Sequence, residues 1–415
     1  MTEHANGFHP PEHLVNAGIH TIRFSEHNVQ VRIDRLRQHT DRLTGEVTIR
    51  TMSSGVPTHL HQSTVNLSSG TTRRSLAGIL TKRWGSPPWD DIIETAFVLV
   101  LRKHREGEPA VLLRDIGMRQ RTLWRLAPYL QEKQPTLFFA EGGSGKSTMA
   151  TFFCVCINLS AFTIGLEPEH GNILYMDYEA DAHEVGGRIH MIERGLDLPA
   201  GEDNILYRRC WQALPNEIEE LQRIVLDNDV STIVVDSVGP ACGGEPEKAD
   251  VVLNFFTALR SLNTTSILLG HISREQLGKS QKFQRKPFGS VYWENLARST
   301  FEVRKSQEED DGSMSLGIFH RKINAGRLMR PTGLKFSFTD DTITVEQENV
   351  REVPDLADSM PLKDRIIECL RGGAMGTSEI AKELQVSPAS IRVVANRHAE
   401  VFVRVSRTEL GLKAL

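Results

Sequence analysis

The sequence lacks the features that mark disulfide-bonded, zinc-bound and membrane proteins. Its five cysteines include no C-x-x-C pair and no metal-ligand spacing, which fits a reducing compartment. No apolar run reaches the roughly 18 residues of a membrane span, and residues 1–6 lack the basic and apolar regions of a signal peptide. We therefore expect a soluble, cytoplasmic protein with no membrane partner.

An overall excess of positive charge is also absent. The net charge is −4, so a surface that binds nucleic acid would have to be local. The chain has 415 residues, 39% of them apolar and 25% charged, and shows no repeat at a fixed period. This composition is typical of an ordinary globular protein, and the length suggests two or three domains.

Changes in pattern along the chain indicate how these domains are arranged. Near the N-terminus, alternating residues at 29–33 and 46–50 predict two paired strands around a turn at 43–45, and helices follow at 73–83 and 89–106. The domains that we predict are an N-terminal α+β domain of unknown role (1–120), an α/β domain (121–350), a polar linker (351–360) and a small helical domain (361–415).

The α/β domain is predicted from apolar strands that alternate with helices. Such a pattern indicates a mostly parallel sheet covered on both faces. The predicted strands are 136–140, 173–178, 231–236 and 265–270, with helices at about 146–162, 182–194, 216–228 and 247–262. After residue 298, short strands at 300–305, 314–320, 334–338 and 342–346 predict an antiparallel extension of the sheet.

A phosphate-binding loop organises this domain. The strand 136–140 runs into Glu-Gly-Gly-Ser-Gly-Lys-Ser-Thr and then into an apolar helix. The glycines permit turns with positive φ that aim backbone N–H groups at an anion, the lysine reaches the β- and γ-phosphates, and Ser147 binds Mg²⁺. Ala140 replaces the first glycine of the usual pattern, which a strand residue with negative φ tolerates. The sequence thus predicts a site for ATP and Mg²⁺ at Gly142, Gly143, Ser144, Gly145, Lys146, Ser147 and Thr148.

Two further strands end in carboxylates that suit ATP hydrolysis. The run 231–236 ends in Asp236, which we expect to contact Mg²⁺. The order of these segments resembles a RecA-like core, and this resemblance implies that the strand of Asp236 lies beside the strand of the phosphate loop. The run 173–178 is followed by Glu179, which we favour as the group that activates water because it projects beyond the strand. Asp177 and Asp181 remain alternatives for that role.

His271 ends the next apolar strand, where a polar side chain can report whether ATP or ADP is bound. The segment that follows holds five basic residues and one acid. This composition favours a loop that contacts the phosphates of single-stranded nucleic acid, with Phe283 stacking on a base; a solvated charge run is the alternative. The nucleic-acid candidates in this segment are Arg274, Lys279, Lys282, Phe283, Arg285 and Lys286.

The ordered set from the phosphate loop through Glu179, Asp236, His271 and Gly289-Ser290 to Arg298 resembles the RecA-type hexameric ATPases. Among these, it is most similar to the plasmid-encoded RepA-like replicative helicases. The resemblance covers about residues 120–345 and includes Lys322-Ile323-Asn324-Ala325-Gly326, similar to that family's K-x-N-x-G.

This resemblance implies the same roles for Glu179 and His271 and adds roles for other residues. Glu179 would activate water, His271 would sense the nucleotide, and Arg298 would act on the ATP of a neighbouring subunit, as an arginine finger. Lys322 would face the neighbour's phosphate too, and Arg304 and Arg321 are alternatives for the finger. The family also implies a homo-hexamer that acts on single-stranded DNA and works with a replication or loader protein.

The C-terminal domain resembles a winged helix-turn-helix. Helices at 362–370 and 378–384 precede Ser387-Pro388, an N-cap followed by proline at the first helical position, and a strand at 402–405 follows. Arg392 and Arg397 are its nucleic-acid candidates. A three-helix module that docks a protein is the alternative.

Together these features predict an ATP-hydrolysing motor on DNA, in particular a hexameric replicative helicase of a plasmid, phage or other mobile element. The alternative is a regulatory ATPase whose nucleotide state switches assembly or DNA binding without strand separation. A DNA-binding regulator with a vestigial ATP site is a third reading, and the complete catalytic set argues against it.

Overall fold

The computed structural model describes residues 10–16, 18–52, 58–107, 110–115, 123–198, 204–272, 285–306, 312–324, 326–357 and 359–413. These residues form two compact units. The first consists of residues 1–123, 212–231 and 254–264, and the second of residues 124–211, 232–253 and 265–415. Among the described residues, no helix combines the length and apolarity that crossing a membrane requires.

The strands begin in the N-terminal part of the chain and continue almost to its end. They are β1 Glu12–Asn16, β2 Ile19–Phe24, β3 Val29–Gln38, β4 Leu43–Thr51, β5 Thr58–Asn66, β6 Trp124–Ala127, β7 Leu130–Gln131, β8 Pro135–Ala140, β9 Glu167–Pro168, β10 Asn172–Asp177, β11 Ile205–Arg209, β12 Val230–Asp236, β13 Thr265–His271, β14 Ser299–Lys305, β15 Ser313–Ile323, β16 Thr332–Phe338, β17 Ile343–Glu348, β18 Met375–Gly376, β19 Phe402–Arg404 and β20 Glu409–Leu412.

The α-helices occupy the segments between these strands. They are α1 Gly70–Arg83, α2 Trp89–Glu106, α3 Lys146–Asn158, α4 Ala182–Gly195, α5 Ile218–Asp227, α6 Val238–Ala241, α7 Ala249–Ser261, α8 Val291–Leu296, α9 Pro354–Ala357, α10 Leu362–Cys369, α11 Thr377–Glu383 and α12 Pro388–Arg397.

The first unit contains an antiparallel sheet in the order β1-β2-β3-β4-β5, packed against α1 and α2. The turn predicted at 43–45 is not there, because β4 already begins at Leu43 and the chain reverses at residues 39–42. The His39 N–H donates to the Arg42 carbonyl at 2.8 Å, and Leu43 is buried with the core. The buried position of Leu43 explains why it belongs to the strand rather than to the turn.

The second unit is built on a mixed sheet in the order β11-β10-β12-β13-β8-β14-β15-β16-β17. Strands β8, β13 and β14 pair in parallel, and β14 to β17 form the antiparallel extension. The chain therefore has an α/β fold with a large mixed sheet. Apolar side chains of α3 and the sheet, among them Phe138, Phe153 and Phe301, form its core.

The expectation that the strand of Asp236 lies beside the phosphate-loop strand is wrong. Strand β13 lies between β12 and β8 and pairs in parallel with both. Strand order cannot be read from apolar runs, because all of these strands are buried and present similar sequences. The consequence for the site is small, since parallel strands bring their carboxyl ends to one edge of the sheet.

Part of the segment 351–360, which was predicted as a polar linker, packs against the sheet. Leu356, in α9, and Met360 are buried in one cluster with Phe319 of β15. Beyond them, α10, α11 and α12 enclose an apolar core with a small sheet in the order β18-β20-β19. The assignment of this C-terminal part to the winged-helix class stays a prediction.

Candidate nucleotide-binding site

The phosphate loop joins the end of β8 to the start of α3. Gly143 and Gly145 have φ of +68° and +79°, the region that glycine adopts without strain. Ala140, in place of the usual first glycine, is the last residue of β8 and pairs with His271 of β13. The loop and the helix N-terminus thus form the cradle for an anion that the sequence predicted.

Lys146 is buried, and its Nζ donates to the Glu141 carbonyl oxygen at 2.8 Å. Ser144 Oγ donates to the same carbonyl at 2.7 Å. Burial lowers the pKa of Lys146, and the nearby carboxylates of Asp236, Glu179 and Glu141 oppose that shift. A buried ammonium at the mouth of the cradle is placed to bind phosphate oxygens.

Asp236 ends β12 at the same edge of the sheet. Its Oδ2 accepts a hydrogen bond from the Tyr175 hydroxyl at 2.7 Å, and its carboxylate is also hydrogen-bonded to Ser147. Burial raises the pKa of Asp236, while these two hydrogen bonds oppose the shift. Tyr175 was not predicted, because it is a buried strand residue that the sequence does not distinguish from its neighbours.

Ser147 and Asp236 form a donor set that fits Mg²⁺. A hydroxyl and a carboxylate are hard oxygen ligands, and protein sites for Mg²⁺ commonly supply only one or two such groups beside the substrate phosphates. Among the described residues, no group of three or more histidines, cysteines or acids is placed to hold a metal. The ion would therefore depend on the phosphates for its remaining ligands.

Glu179 lies two residues beyond β10, and its side chain reaches two neighbouring strand ends. Its Oε1 contacts the Ser237 hydroxyl and lies 3.5 Å from His271 Nε2. The hydrogen bond from His271, together with that from Ser237, lowers the pKa of Glu179 to about 2 despite the opposing effect of burial. Glu179 is therefore ionised at neutral pH.

Asp177 lies close to Glu179 but has both carboxylate oxygens engaged. Oδ1 accepts from the N–H groups of Glu179 at 2.9 Å and Ala180 at 2.8 Å, and Oδ2 accepts from the Tyr207 hydroxyl at 2.9 Å. Asp181, the other alternative base, caps α4 by accepting from the N–H groups of His183 and Glu184. The geometry thus leaves Glu179 as the carboxylate that faces the cradle.

These groups line one open cavity of about 280 Å³. The cavity also contains Arg188 of α4 and Met314 of β15, neither of which the sequence singled out. The Arg188 side chain is 16% exposed and pairs with Glu184 at 2.6 Å. It supplies a second cation within the same chain. The predicted members of the cavity are Gly143, Ser144, Gly145, Lys146, Ser147, Thr148, Glu179, Asp236 and His271.

Arg298 does not belong to this cavity. Its N–H donates to the carbonyl of Pro135, the first residue of β8, whereas the phosphate loop follows the last residue, Ala140. Five residues of strand, at about 3.3 Å each, separate the two ends by roughly 17 Å. Arg298 is half-buried, and its Nε has no hydrogen-bond partner within the described part of the chain.

The other cations proposed for a subunit interface have partners within the chain. Arg321 pairs with the buried Glu302 at 2.6 Å, and Arg304 pairs with the same carboxylate. Lys322 Nζ donates to three carbonyl groups at the end of α8, those of Glu294, Asn295 and Ala297.

Most of the predicted basic segment, residues 274–284 with Arg274, Lys279, Lys282 and Phe283, lies outside the described residues. The described residues on either side of this segment contact each other, or the phosphate loop, near the nucleotide site. The Phe288 N–H donates to the His271 carbonyl at 2.7 Å, and Arg285 pairs with Glu141 of the phosphate loop at 2.6 Å. Arg285 and Lys286 therefore follow directly after residues 274–284, and Arg285 lies beside the phosphate loop.

Comparisons with known proteins agree with a nucleotide-binding core. Residues 104–276, less than half of the chain, match the family described as an AAA domain. No curated protein matches the chain. A KaiC-like protein from the hyperthermophilic archaeon Pyrococcus horikoshii OT3 matches with 16% identity and a TM-score of 0.37, over 54% of this chain and 98% of its own. The family match and the geometry of the site support a P-loop core that binds a nucleotide.

Proposed function

We propose that this chain hydrolyses Mg-ATP and uses the energy to act on single-stranded DNA, as a hexameric replicative helicase of a plasmid, phage or other mobile element. One observation carries the hydrolytic part of the proposal. Lys146, Glu179, Asp236 and His271 come from four different elements and line one cavity beside the phosphate loop.

Each residue has a defined task in hydrolysis. The ammonium of Lys146 binds the phosphates, and Ser147 and Asp236 hold Mg²⁺, which neutralises charge on the phosphate oxygens when it is bound. Glu179 orients the attacking water. Its low pKa makes it a weak base, so positioning the water contributes more than full proton abstraction. Both of its hydrogen bonds use Oε1, and within the described part of the chain none reaches Oε2.

The position of Arg298 supports the proposal that the chain assembles into a ring. A guanidinium that neutralises charge on the transferred phosphoryl group accelerates hydrolysis about 10³-fold or more. Arg298 is too far from the phosphate loop of its own chain for this role, and the residue is only half-buried. Action on the ATP of an adjoining copy is compatible with both facts and would make hydrolysis depend on assembly.

Contact with DNA is assigned to the segment between His271 and Arg285 and to Arg392 and Arg397 of α12. Both arginines of α12 are exposed. Because the ends of the basic segment contact His271 and the phosphate loop, DNA bound there would be coupled directly to the nucleotide. A replication or loader protein would bind the N-terminal domain or the C-terminal module.

The test is an ATPase assay with and without single-stranded DNA, combined with displacement of an annealed strand. We expect DNA to raise turnover several-fold and ATP to drive displacement. Lys146→Ala should abolish both activities, and Glu179→Gln should abolish turnover while ATP still binds. ATPase activity that survives in Lys146→Ala would show that the phosphate loop is assigned wrongly.

A regulatory ATPase remains the second candidate because the phosphate loop and the connector are neighbours. Gly142 and Gly143 of the loop line a small cavity, of about 80 Å³, together with Leu356 and Ser359, which precede the C-terminal module. A change at the loop can therefore reach that module without translocation. This candidate predicts that ATP alters the affinity of the protein for duplex DNA, with no strand displacement and no stimulation by single strands.

A further inference from the structure

A basic cleft lies between the turn that joins β15 to β16 and the C-terminal module. Its volume is about 840 Å³. Seven arginines and lysines line it, against one acid, Asp364. None of these seven residues has a role in the nucleotide cavity.

Four of the seven cations are already paired. Arg321 pairs with Glu302, Arg351 and Arg371 both pair with Glu368, and Lys363 lies 3.8 Å from Glu400. The other three are Arg327, Arg330 and Lys413. They are exposed, and no carboxylate in the described part of the chain forms an ion pair with them.

The wall that carries Arg327 and Arg330 is held in place by His320. The Met329 N–H, between the two arginines, donates to His320 Nδ1 at 3.0 Å, and His320 Nε2 lies 2.7 Å from Ser299 Oγ. Burial lowers the pKa of His320 to about 4, so the ring is neutral at pH 7 and keeps Nδ1 as an acceptor. The turn is thereby fixed before a ligand arrives.

The opposite wall is fixed at Lys413. Its N–H donates to the Val401 carbonyl at 2.8 Å, which attaches the end of the chain to the segment before β19. Backbone that is already ordered costs little entropy when a ligand binds. Cations from two fixed segments thus line the same cleft.

We propose that this cleft binds the sugar-phosphate backbone of single-stranded nucleic acid. A strand carries one charge at every nucleotide, so it can pair with Arg327, Arg330 and Lys413 at once. An acidic peptide would need carboxylates spaced to match them. Between the cations, Leu328 is 55% exposed, and Ile367 and Leu412 also line the cleft, which gives bases an apolar surface to pack on.

The size of the cleft selects one strand over a duplex. Its volume of about 840 Å³ lies in the range of small-ligand sites, roughly 300–1,000 Å³. A cleft of this volume has room for a few nucleotides of one strand, whereas a base-paired helix would lie across its mouth. This inference rests on the proposed DNA function. It adds a nucleic-acid contact that is separate from the basic segment after His271.

The test compares two triple variants of the full-length protein with equal loss of charge. One carries Arg327→Ala, Arg330→Ala and Lys413→Ala. The control carries Arg42→Ala, Arg74→Ala and Lys82→Ala, three exposed cations of the first unit. Fluorescence anisotropy with a labelled oligothymidylate, without nucleotide, measures affinity at several salt concentrations. Thermal melts verify that both variants fold.

We expect the magnitude of the slope of log K against log[salt] to fall by about 2 in the cleft variant, as for three lost phosphate contacts on a single strand. This change in slope corresponds to binding of the oligonucleotide that is about 100-fold weaker at ~0.1 M salt. The control should bind as the wild type does. Equal weakening of both variants, or of neither, would overturn the proposal. So would a polyglutamate peptide that binds the wild type more tightly than the oligonucleotide and loses affinity in the cleft variant.

The same measurements separate this proposal from the proposed function. If the wild type binds single strands through the cleft but shows no ATPase activity, the proposed motor fails and the cleft assignment stands. If ATPase is stimulated by single-stranded DNA and the cleft variant binds normally, the motor stands and the cleft assignment fails.

Discussion

Asp177 offers the sharpest test of how the water-activating group is held. It ends β10 two residues before Glu179 and is 1% exposed. One of its oxygens accepts from the N–H groups of Glu179 and Ala180, and the other from Tyr207. Asp177 therefore fixes the turn that carries Glu179, and it is buried with both oxygens in hydrogen bonds. We interpret it as a positioning residue.

Asp177→Asn should preserve most of this arrangement. The remaining carbonyl oxygen can still accept from both N–H groups, and the new amide can donate to the Tyr207 oxygen. Three charge-assisted hydrogen bonds, worth ~1.5–3 kcal/mol each, become neutral bonds of ~0.5–1.5 kcal/mol each. Unfolding free energy should fall by about 3–4.5 kcal/mol, which is less than the total stability of an ordinary domain, about 5–15 kcal/mol.

Measured turnover should distinguish the role of Asp177 from that of Glu179. We expect kcat of Asp177→Asn to fall by no more than about 10-fold, with little change in KM for ATP. Glu179→Gln removes the group that contacts water and should lower kcat by ~10²–10⁴-fold. Asp181→Asn is the matched control, because Asp181 only caps α4 and should retain wild-type kcat.

The assay is steady-state ATP hydrolysis with each variant, accompanied by circular dichroism to verify folding. Asp177→Ala should be more damaging than Asp177→Asn, because it leaves two N–H groups without an acceptor. If folded Asp177→Asn lost as much kcat as Glu179→Gln, Asp177 would be the base and the positioning argument would be refuted.

Three other variants test the site. Inactive Arg298→Ala mixed with inactive Glu179→Gln should regain part of the ATPase activity; no rescue at any ratio, with co-assembly shown by light scattering, counts against action between subunits. Gly145→Ala, at φ +79°, should cost ~1–2 kcal/mol and weaken ATP binding measured by calorimetry, whereas Gly142→Ala, with open space around it, should not. Tyr175→Phe removes a hydrogen bond to the strand-end carboxylate and should raise the Mg²⁺ concentration for half-maximal turnover about 10-fold; an unchanged requirement would contradict that role.

The sequence predicts the centre of the site because each of its groups follows a strongly apolar strand. Glu179, Asp236 and His271 all come after buried runs, and parallel strands place their carboxyl ends together. The glycine pattern around Lys146 identifies the fourth strand. This prediction of the site does not depend on strand order. The site was therefore predicted correctly although the neighbour that we expected for β12 was wrong.

Reasoning from apolar strands does not predict the contacts that helices and loops make. Arg188 lines the cavity from α4, but an arginine on an amphipathic helix looks the same whether it faces a ligand or solvent. Arg285 was predicted as a DNA contact from its basic surroundings, and its pairing with Glu141 depends on a chain reversal that composition does not encode. Residues 351–360 were read as a linker because polar residues outnumber the few that are buried.

Glu141 lies close to both candidate outputs, because it pairs with Arg285 and lines the small cavity that also contains Ser359 of the connector. Its carbonyl accepts from Lys146 and Ser144, and its carboxylate pairs with Arg285. A phosphate that draws the Lys146 ammonium away leaves the carbonyl with Ser144 alone, so the hydrogen bonds of this residue change with nucleotide state. A local change of this kind biases packed elements that have two arrangements.

The two candidate functions differ in which contact transmits that change. In a motor, the response passes through Arg285 to the basic segment, so Arg285→Ala should reduce the stimulation of ATPase by single-stranded DNA. In a regulatory ATPase, it passes to the connector, where the Arg304 guanidinium donates to Ser359 Oγ at 2.5 Å. Ser359→Ala should then remove the effect of ATP on affinity for duplex DNA, measured by anisotropy. Loss of stimulation in Arg285→Ala, with Ser359→Ala unaffected, would favour the motor; the reverse pattern would contradict it.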